Sequence, residues 1–141
     1  MIRKMTSCDI KEVLNLEKIY FNSGSKENLE KCLTSEAYAY YVLINSDKII
    51  GYSAYLLSGD DAEIVQIVVD KEHRKMGYGK KLLESGINEM KKLNKNSIFL
   101  EVRVSNMAAR NLYLGAGFKE INVRKNYYGN EDAVIMSLNI N

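Results

Sequence analysis

Proline and tryptophan are absent from the 141 residues of this sequence, histidine occurs once and cysteine twice. Without proline, turns must be made by Gly, Asn, Asp and Ser, and those residues mark the punctuation of the chain. Cys8 and Cys32 stand alone without metal-ligand spacing, so neither a disulfide framework nor a zinc site is implied, and no metal is expected. The longest apolar runs are only a few residues, and the opening stretch MIRKMTSCDI has no signal-peptide core. The reading is therefore a cytoplasmic protein with no membrane partner. A dominant charge is also missing: 20 basic residues stand against 18 acidic ones, for a net +2, so nothing calls for direct nucleic-acid binding. What is left, 46% hydrophobic and 27% charged residues, suits one globular domain over residues 1–141.

One stretch organises the rest. From Ala62 to Leu93 an apolar strand (Ile64, Val65, Ile67, Val68, Val69) runs into a basic turn with Gly77 and Gly79, which opens an amphipathic helix carrying Leu82, Leu83, Ile87, Met90 and Leu93. The first N–H groups of a helix lack intrahelical partners, and the helix dipole adds about half a positive charge there. Such a terminus attracts phosphate. Glycines let the backbone turn sharply and approach a ligand, and Lys71, Arg74, Lys75, Lys80 and Lys81 add positive field against the single acid Glu72. An ordinary strand-to-helix connection with a solvated basic face would look the same, so the turn alone does not decide.

The flanking segments read in order. Ile2 to Met5 is a short strand, and Thr6, Ser7 and Asp9 start a helix whose apolar face holds Ile10, Val13 and Leu14, with Ile19 as a further candidate. The loop Phe21 to Ser25 precedes a second helix and is a candidate substrate wall or a plain connector. Tyr38 to Asn45 and Lys48 to Leu57 form a hairpin around Ser46 and Asp47, and Ala62 to Val69 adds a third antiparallel strand. Ser97 to Val104 follows the central helix, so it should lie parallel to Ala62 to Val69. Its alternation sets Ile98, Leu100, Val102 and Val104 on one side and Phe99, Glu101 and Arg103 on the other. Asn106 or Ser105 caps a helix over Met107 to Leu114, and Phe118 to Arg124 and Ala133 to Ile140 are the last strands. The sum is an α/β fold, a mixed sheet of six to seven strands with a central parallel pair and about four helices.

Arg74-Lys75-Met76-Gly77-Tyr78-Gly79 fits the RxxGxG/A signature of the GNAT family of N-acetyltransferases, with strand and helix on the sides where that family has them. Leu100-Glu101-Val102-Arg103-Val104-Ser105-Asn106, Ala108-Ala109, Leu112-Tyr113, Gly117-Phe118, Arg124 to Tyr128, Glu131-Asp132-Ala133 and Met136 resemble the RimI type within it, which acetylates the N-terminal alanine of ribosomal protein S18. The likeness covers about residues 48 to 138. It implies the GNAT fold and acetyl-CoA as donor, with Ile67, Val68 and Val69 meeting the pantetheine arm through their backbone. It also implies that the amides from Lys75 to Lys80 (Lys75, Met76, Gly77, Tyr78, Gly79, Lys80), next to Arg74, hold the pyrophosphate, and that Asn106 contacts the cofactor. Glu101 then matches the general base and Tyr113 the acid that protonates the CoA sulfur, while Tyr127, Tyr128, Glu131 and Asp132 wall the site of the peptide N-terminus. His73 is read as a surface residue. The usual proline after the strand is Lys71 here, and the loop Tyr20 to Ser25 lacks the proline and tryptophan common in the RimI type, so the acceptor sequence is left open.

Other acceptors, a lysine side chain or a small amine, fit the same residues, although a lysine amine with a pKa of about 10.4 needs more help to deprotonate than an α-amine near 8. A non-catalytic module that binds CoA as a sensor, or docks a partner, would keep the glycine turn without needing Glu101 and Tyr113. A P-loop nucleotide hydrolase fits less well still, because the glycine turn is not followed by GK[ST].

Overall fold

The computed structural model describes residues 1–141. Strand β1 (Ile2–Lys4) is followed by helices α1 (Ile10–Phe21) and α2 (Lys26–Thr34), then by β2 (Tyr38–Asn45), β3 (Lys48–Ser58) and β4 (Asp61–Val69). Helix α3 (Tyr78–Lys92), strand β5 (Ser97–Arg103), helix α4 (Met107–Gly115) and strands β6 (Lys119–Arg124) and β7 (Ala133–Asn139) complete the chain. The strands form one seven-stranded sheet in the order β1-β2-β3-β4-β5-β7-β6. Only β4 and β5 run parallel, as the strand-helix-strand order predicts. Ser46 and Asp47 both adopt positive φ, 50° and 63°, the twist that a tight two-residue hairpin needs.

Each face of the sheet carries a pair of helices. Ile10, Val13 and Leu16 of α1 and Leu29 of α2 pack with Val42, Tyr52, Ala54 and Val68 on one face. On the other, Leu83, Ile87 and Met90 of α3 and Tyr113 of α4 pack with Tyr55, Ile64, Ile98, Leu100, Val102 and Met136. Gly86 lets Tyr55 reach the α3 backbone, because a methyl group at that position would overlap the Tyr55 hydroxyl. Three expected core positions fall outside: Ile19 is exposed, and Leu93 and Val104 lie just past the ends of α3 and β5. The helical period that buries Ile10 and Val13 turns Leu16 and Glu17 inward and Ile19 outward.

Two irregularities in β4 shape the centre of the sheet. Ala54 pairs with Gln66 but Tyr55 with Ile64, so Val65 is an extra residue and is 49% exposed. This bulge flips the alternation, putting Val68 on the α1 and α2 face while Ile64 stays on the α3 face. The second concerns the parallel ladder. It holds only Asp61 with Ser97, Ala62 with Ile98 and Glu63 with Phe99, after which the strands diverge. From Ile64 to Val69, β4 therefore presents a backbone edge with no strand on that side, while β5 stays paired to β7 along its length.

Candidate active site

The opening between β4 and β5 leads toward the turn before α3. Lys75 and Gly77 have positive φ, 62° and 83°, and Gly77 is the residue from which α3 springs. None of the backbone N–H groups from Lys75 to Lys80 donates to a protein acceptor, and the first amide of α3 to find one is Lys81, on the Gly77 carbonyl at 3.1 Å. A Cβ at Gly77 would meet nothing within 4 Å, so the approach to these amides is open. A row of unpaired donors at a helix start, with Arg74, Lys75, Lys80 and Lys81 around it, is what a diphosphate requires. The edge of β4 offers Ile67, Val68 and Val69 beside it, and a ligand arm bearing amides could pair there as a missing strand would. Arg74 itself turns back, donating from Nε to the Val69 carbonyl at 2.9 Å. His73 is half-buried next to Tyr78, with the ring centroids 6.4 Å apart.

Glu101 lies on β5 on the face away from α3, as its alternation predicts. Its Oε1 accepts a 2.7 Å hydrogen bond from Nη1 of Arg124, and its Oε2 is buried without a partner. The Arg124 guanidinium also lies over the Tyr127 ring at 4.4 Å. The Tyr127 hydroxyl faces Glu101, and that carboxylate pushes the phenol's pKa up. Tyr128, raised first by burial and then by Glu101, packs edge-on to Tyr127 and beneath the Arg103 guanidinium at 4.2 Å.

The two acids of this loop have other tasks. Glu131 accepts from the Ser105 amide at 2.7 Å and faces Arg103 at 3.4 Å, and these donors hold its carboxyl below the usual range. Asp132 accepts from the Asn126 amide at 2.8 Å. Both carboxylates lock the loop that presents Tyr127 and Tyr128. Asn106 acts as the cap of α4, its Oδ1 accepting from the Ala109 amide at 3.2 Å.

Tyr113 comes from α4 on the opposite face. It is 5% exposed, packs edge-on to Phe118 at 5.6 Å, and its hydroxyl has no protein hydrogen-bond partner. Burial pushes its pKa up, with Tyr55 and Tyr128 as further causes. Glu101 and Tyr113 thus lie on opposite faces of the sheet, and Tyr128 links them: it pushes the Tyr113 phenol up and is itself pushed up by Glu101.

Sequence reasoning missed two residues here. Glu63 pairs with Phe99, two positions before Glu101 on the same face, and it has no ion-pair partner. Its pKa is raised first by desolvation and then by Glu101. The parallel register combined with the alternation of β5 was the signal that could have found it. Arg124 lies 23 positions from Glu101, on a strand not adjacent to β5, and no local pattern announces the pair.

Comparison with known proteins agrees with this geometry. The sequence is 38% identical over 109 residues to the ribosomal protein bS18-alanine N-acetyltransferase of Escherichia coli (strain K12), covering 74% of each chain. It is 32% identical over 146 residues to the enzyme of the same name from Haemophilus influenzae, covering 97% of each. The crystal structure of the ribosomal-protein-S18-alanine N-acetyltransferase from Escherichia coli superposes with a TM-score of 0.89 at 31% identity, covering 99% of this chain and 93% of that one. The profile of the Acetyltransferase (GNAT) family matches residues 9–118, and the chain belongs to that family.

Proposed function

We propose that this protein transfers the acetyl group of acetyl-CoA to the N-terminal α-amine of a protein, and that its acceptor is the N-terminal alanine of ribosomal protein S18. The observation that supports this reading is the divergence of β4 and β5 beside a row of amides without protein acceptors, with Glu101 on the diverging part of β5. The acceptor choice rests on the names of relatives that match at 32% to 38% identity. Acetyl-CoA supplies an acyl group activated as a thioester.

Each residue then has a task. The amides from Lys75 to Lys80, together with Arg74, Lys80 and the backbone of Ile67, Val68 and Val69, bind and orient the donor. Glu101 takes a proton from the acceptor ammonium, directly or through water, so that a neutral amine forms the new C–N bond. An α-amine near pKa 8 asks only for a modest base. As the C–S bond breaks, the Tyr113 hydroxyl gives its proton to the departing sulfur. Burial keeps that phenol protonated until then, and the same dry surroundings raise the sulfur's demand for a proton. The second amine proton goes to solvent, Tyr113 is reprotonated from solvent and Glu101 gives up the first proton, so the sum is an amide, a free thiol and one released proton. Tyr127 and Tyr128 wall the acceptor site, held there by Glu131 and Asp132. Positioning of amine against thioester supplies much of the rate.

The test is thiol release from acetyl-CoA with two S18-type peptides that differ only in whether the N-terminal amine is free or blocked. Reaction of the free peptide alone is expected. If neither peptide reacts while lysine peptides or small amines do, the acceptor assignment is wrong. Binding of CoA with no turnover on any amine would leave a sensor.

A further inference from the structure

Glu101 has two oxygens in different circumstances. Oε1 is gripped by Arg124 at 2.7 Å, whereas Oε2 is buried and has no donor in good hydrogen-bond geometry, the Tyr127 hydroxyl being the one protein group besides Arg124 that faces the carboxylate. A buried carboxylate oxygen without a donor is costly, and a native site tolerates one where a donor arrives with a ligand. The guanidinium that holds Oε1 is itself half-exposed and lies over the Tyr127 ring, and the Arg124 backbone is held by pairing with Ala133 of β7. It therefore sets which way the carboxyl plane faces. No other cation is within ion-pairing reach of Glu101.

We propose that Arg124 is the positioning residue of the acetyl transfer: it fixes Glu101 through Oε1 and so reserves Oε2 for the acceptor amine or the water that carries its proton. This rests on the reading of Glu101 as the base. Arg124 need not touch the substrate. Its guanidinium also offsets the cost of keeping a charged carboxylate on a partly covered strand face, so removing it would loosen Glu101 and leave both oxygens short of donors. Lysine in its place would keep the charge but lose the planar fork and the stacking on Tyr127.

The experiment is a double-mutant cycle on the full chain. Glu101→Gln, Arg124→Gln and the combined variant are assayed for acetylation of the free S18-type peptide, with acetyl-CoA binding and thermal melting measured on each. Misplacing a catalytic group can cost about a hundredfold. Arg124→Gln is expected to lower kcat by about tenfold to a hundredfold, with the dissociation constant for acetyl-CoA unchanged, and Arg124→Lys to restore part of the loss. In the Glu101→Gln background the same change should cost less than about twofold, because its partner's function is already gone. If Arg124→Gln costs the same factor in both backgrounds, Arg124 acts independently of Glu101 and the proposal is overturned. An inert Arg124→Gln overturns it as well. Should Glu101→Gln alone leave kcat intact, the base assignment fails, and that failure is visible in the single variant before Arg124 is considered. Should Arg124→Gln not fold, Arg124→Lys carries the cycle and must show the same dependence on Glu101.

Discussion

Tyr20, at the end of α1, bonds across fifty residues to Asp70, at the end of β4: its hydroxyl donates to Oδ1 of Asp70 and accepts from the Lys71 amide at 2.7 Å. The Arg74 guanidinium lies over the same ring at 4.9 Å and donates to the Val69 carbonyl. One phenol thus pins the strand end, the basic turn and Arg74. It also precedes the loop Phe21 to Ser25, so α1 is tied to the basic turn before α3. Tyr20→Phe keeps the ring but frees the turn, and acetyl-CoA affinity should drop on the order of tenfold. Equilibrium binding of acetyl-CoA would show it; an unchanged constant would mean that the turn is held by its own backbone.

Tyr113→Phe removes one oxygen from a residue that is 5% exposed and already packed on Phe118. The ring contacts persist, so melting should move little. A general acid contributes about a hundredfold to ten-thousandfold, and kcat should fall by that range while acetyl-CoA still binds. Single-turnover thiol release separates the two quantities. Loss of binding with kcat unchanged would remove Tyr113 from the acid role.

The parts of this fold that were legible in the sequence are those with a local cause. The strand, glycine turn and helix from Ala62 to Leu93 announce themselves by periodicity, and the position of Glu101 away from α3 follows from alternation alone. The bulge at Val65 is a one-residue insertion with no residue type to mark it. Glu131 and Asp132 read as part of the acceptor wall, but their bonds to the amides of Ser105 and Asn126 were not legible, because which N–H groups a loop leaves unpaired depends on its fold. The grip of Arg124 on Glu101 exists only through the order of β5, β7 and β6, with β7 between the two. Chemistry was written in residue types; its fine geometry came from sheet topology.

Gly86 tests the packing behind the site. The Tyr55 hydroxyl occupies the space of its missing side chain, and Tyr55 is fully buried with no room to retreat. Gly86→Ala raises helix propensity, but overpacking should win, with a net loss of about 1–3 kcal/mol in chemical denaturation. An increase in stability would show that the Tyr55 ring can shift.

Arg3 and Asp9 give an acid-side prediction. Two hydrogen bonds of 2.7 and 3.0 Å from the guanidinium hold Asp9 below the usual carboxylate range, outweighing burial and joined by the Thr6 amide at 2.8 Å. A lowered native pKa means that the stabilisation is complete above the unfolded value near 3.8 and is lost as pH falls through the native one. Asp9→Asn should lower stability at pH 7, and the gap to the unmutated protein should shrink below pH 4. Melting curves at pH 7 and pH 3 decide it; an equal gap at both would assign the cost to packing alone.

Glu17 has the opposite sign. It is 8% exposed on the inner face of α1, has neither an ion pair nor a hydrogen bond, and desolvation alone raises its pKa. The unfolded chain then ionises first as pH rises, so stability falls between the unfolded value near 4.5 and the raised native value, and the loss persists above both. Glu17→Gln keeps the shape and removes the charge, so it should raise the melting temperature at pH 7 and leave it unchanged well below pH 4. The glutamate carboxyl packs against Gly24 in the loop after α1, and its field reaches Tyr40 and Tyr52. If the charge serves the acceptor site, the more stable variant should show a higher KM for the peptide with its acetyl-CoA affinity unaltered. If Glu17→Gln is more stable and equally active, the charge has no part in meeting the acceptor. If it is less stable at pH 7, the carboxylate has a donor that the folded chain supplies in solution, and the sign of its pH dependence must reverse.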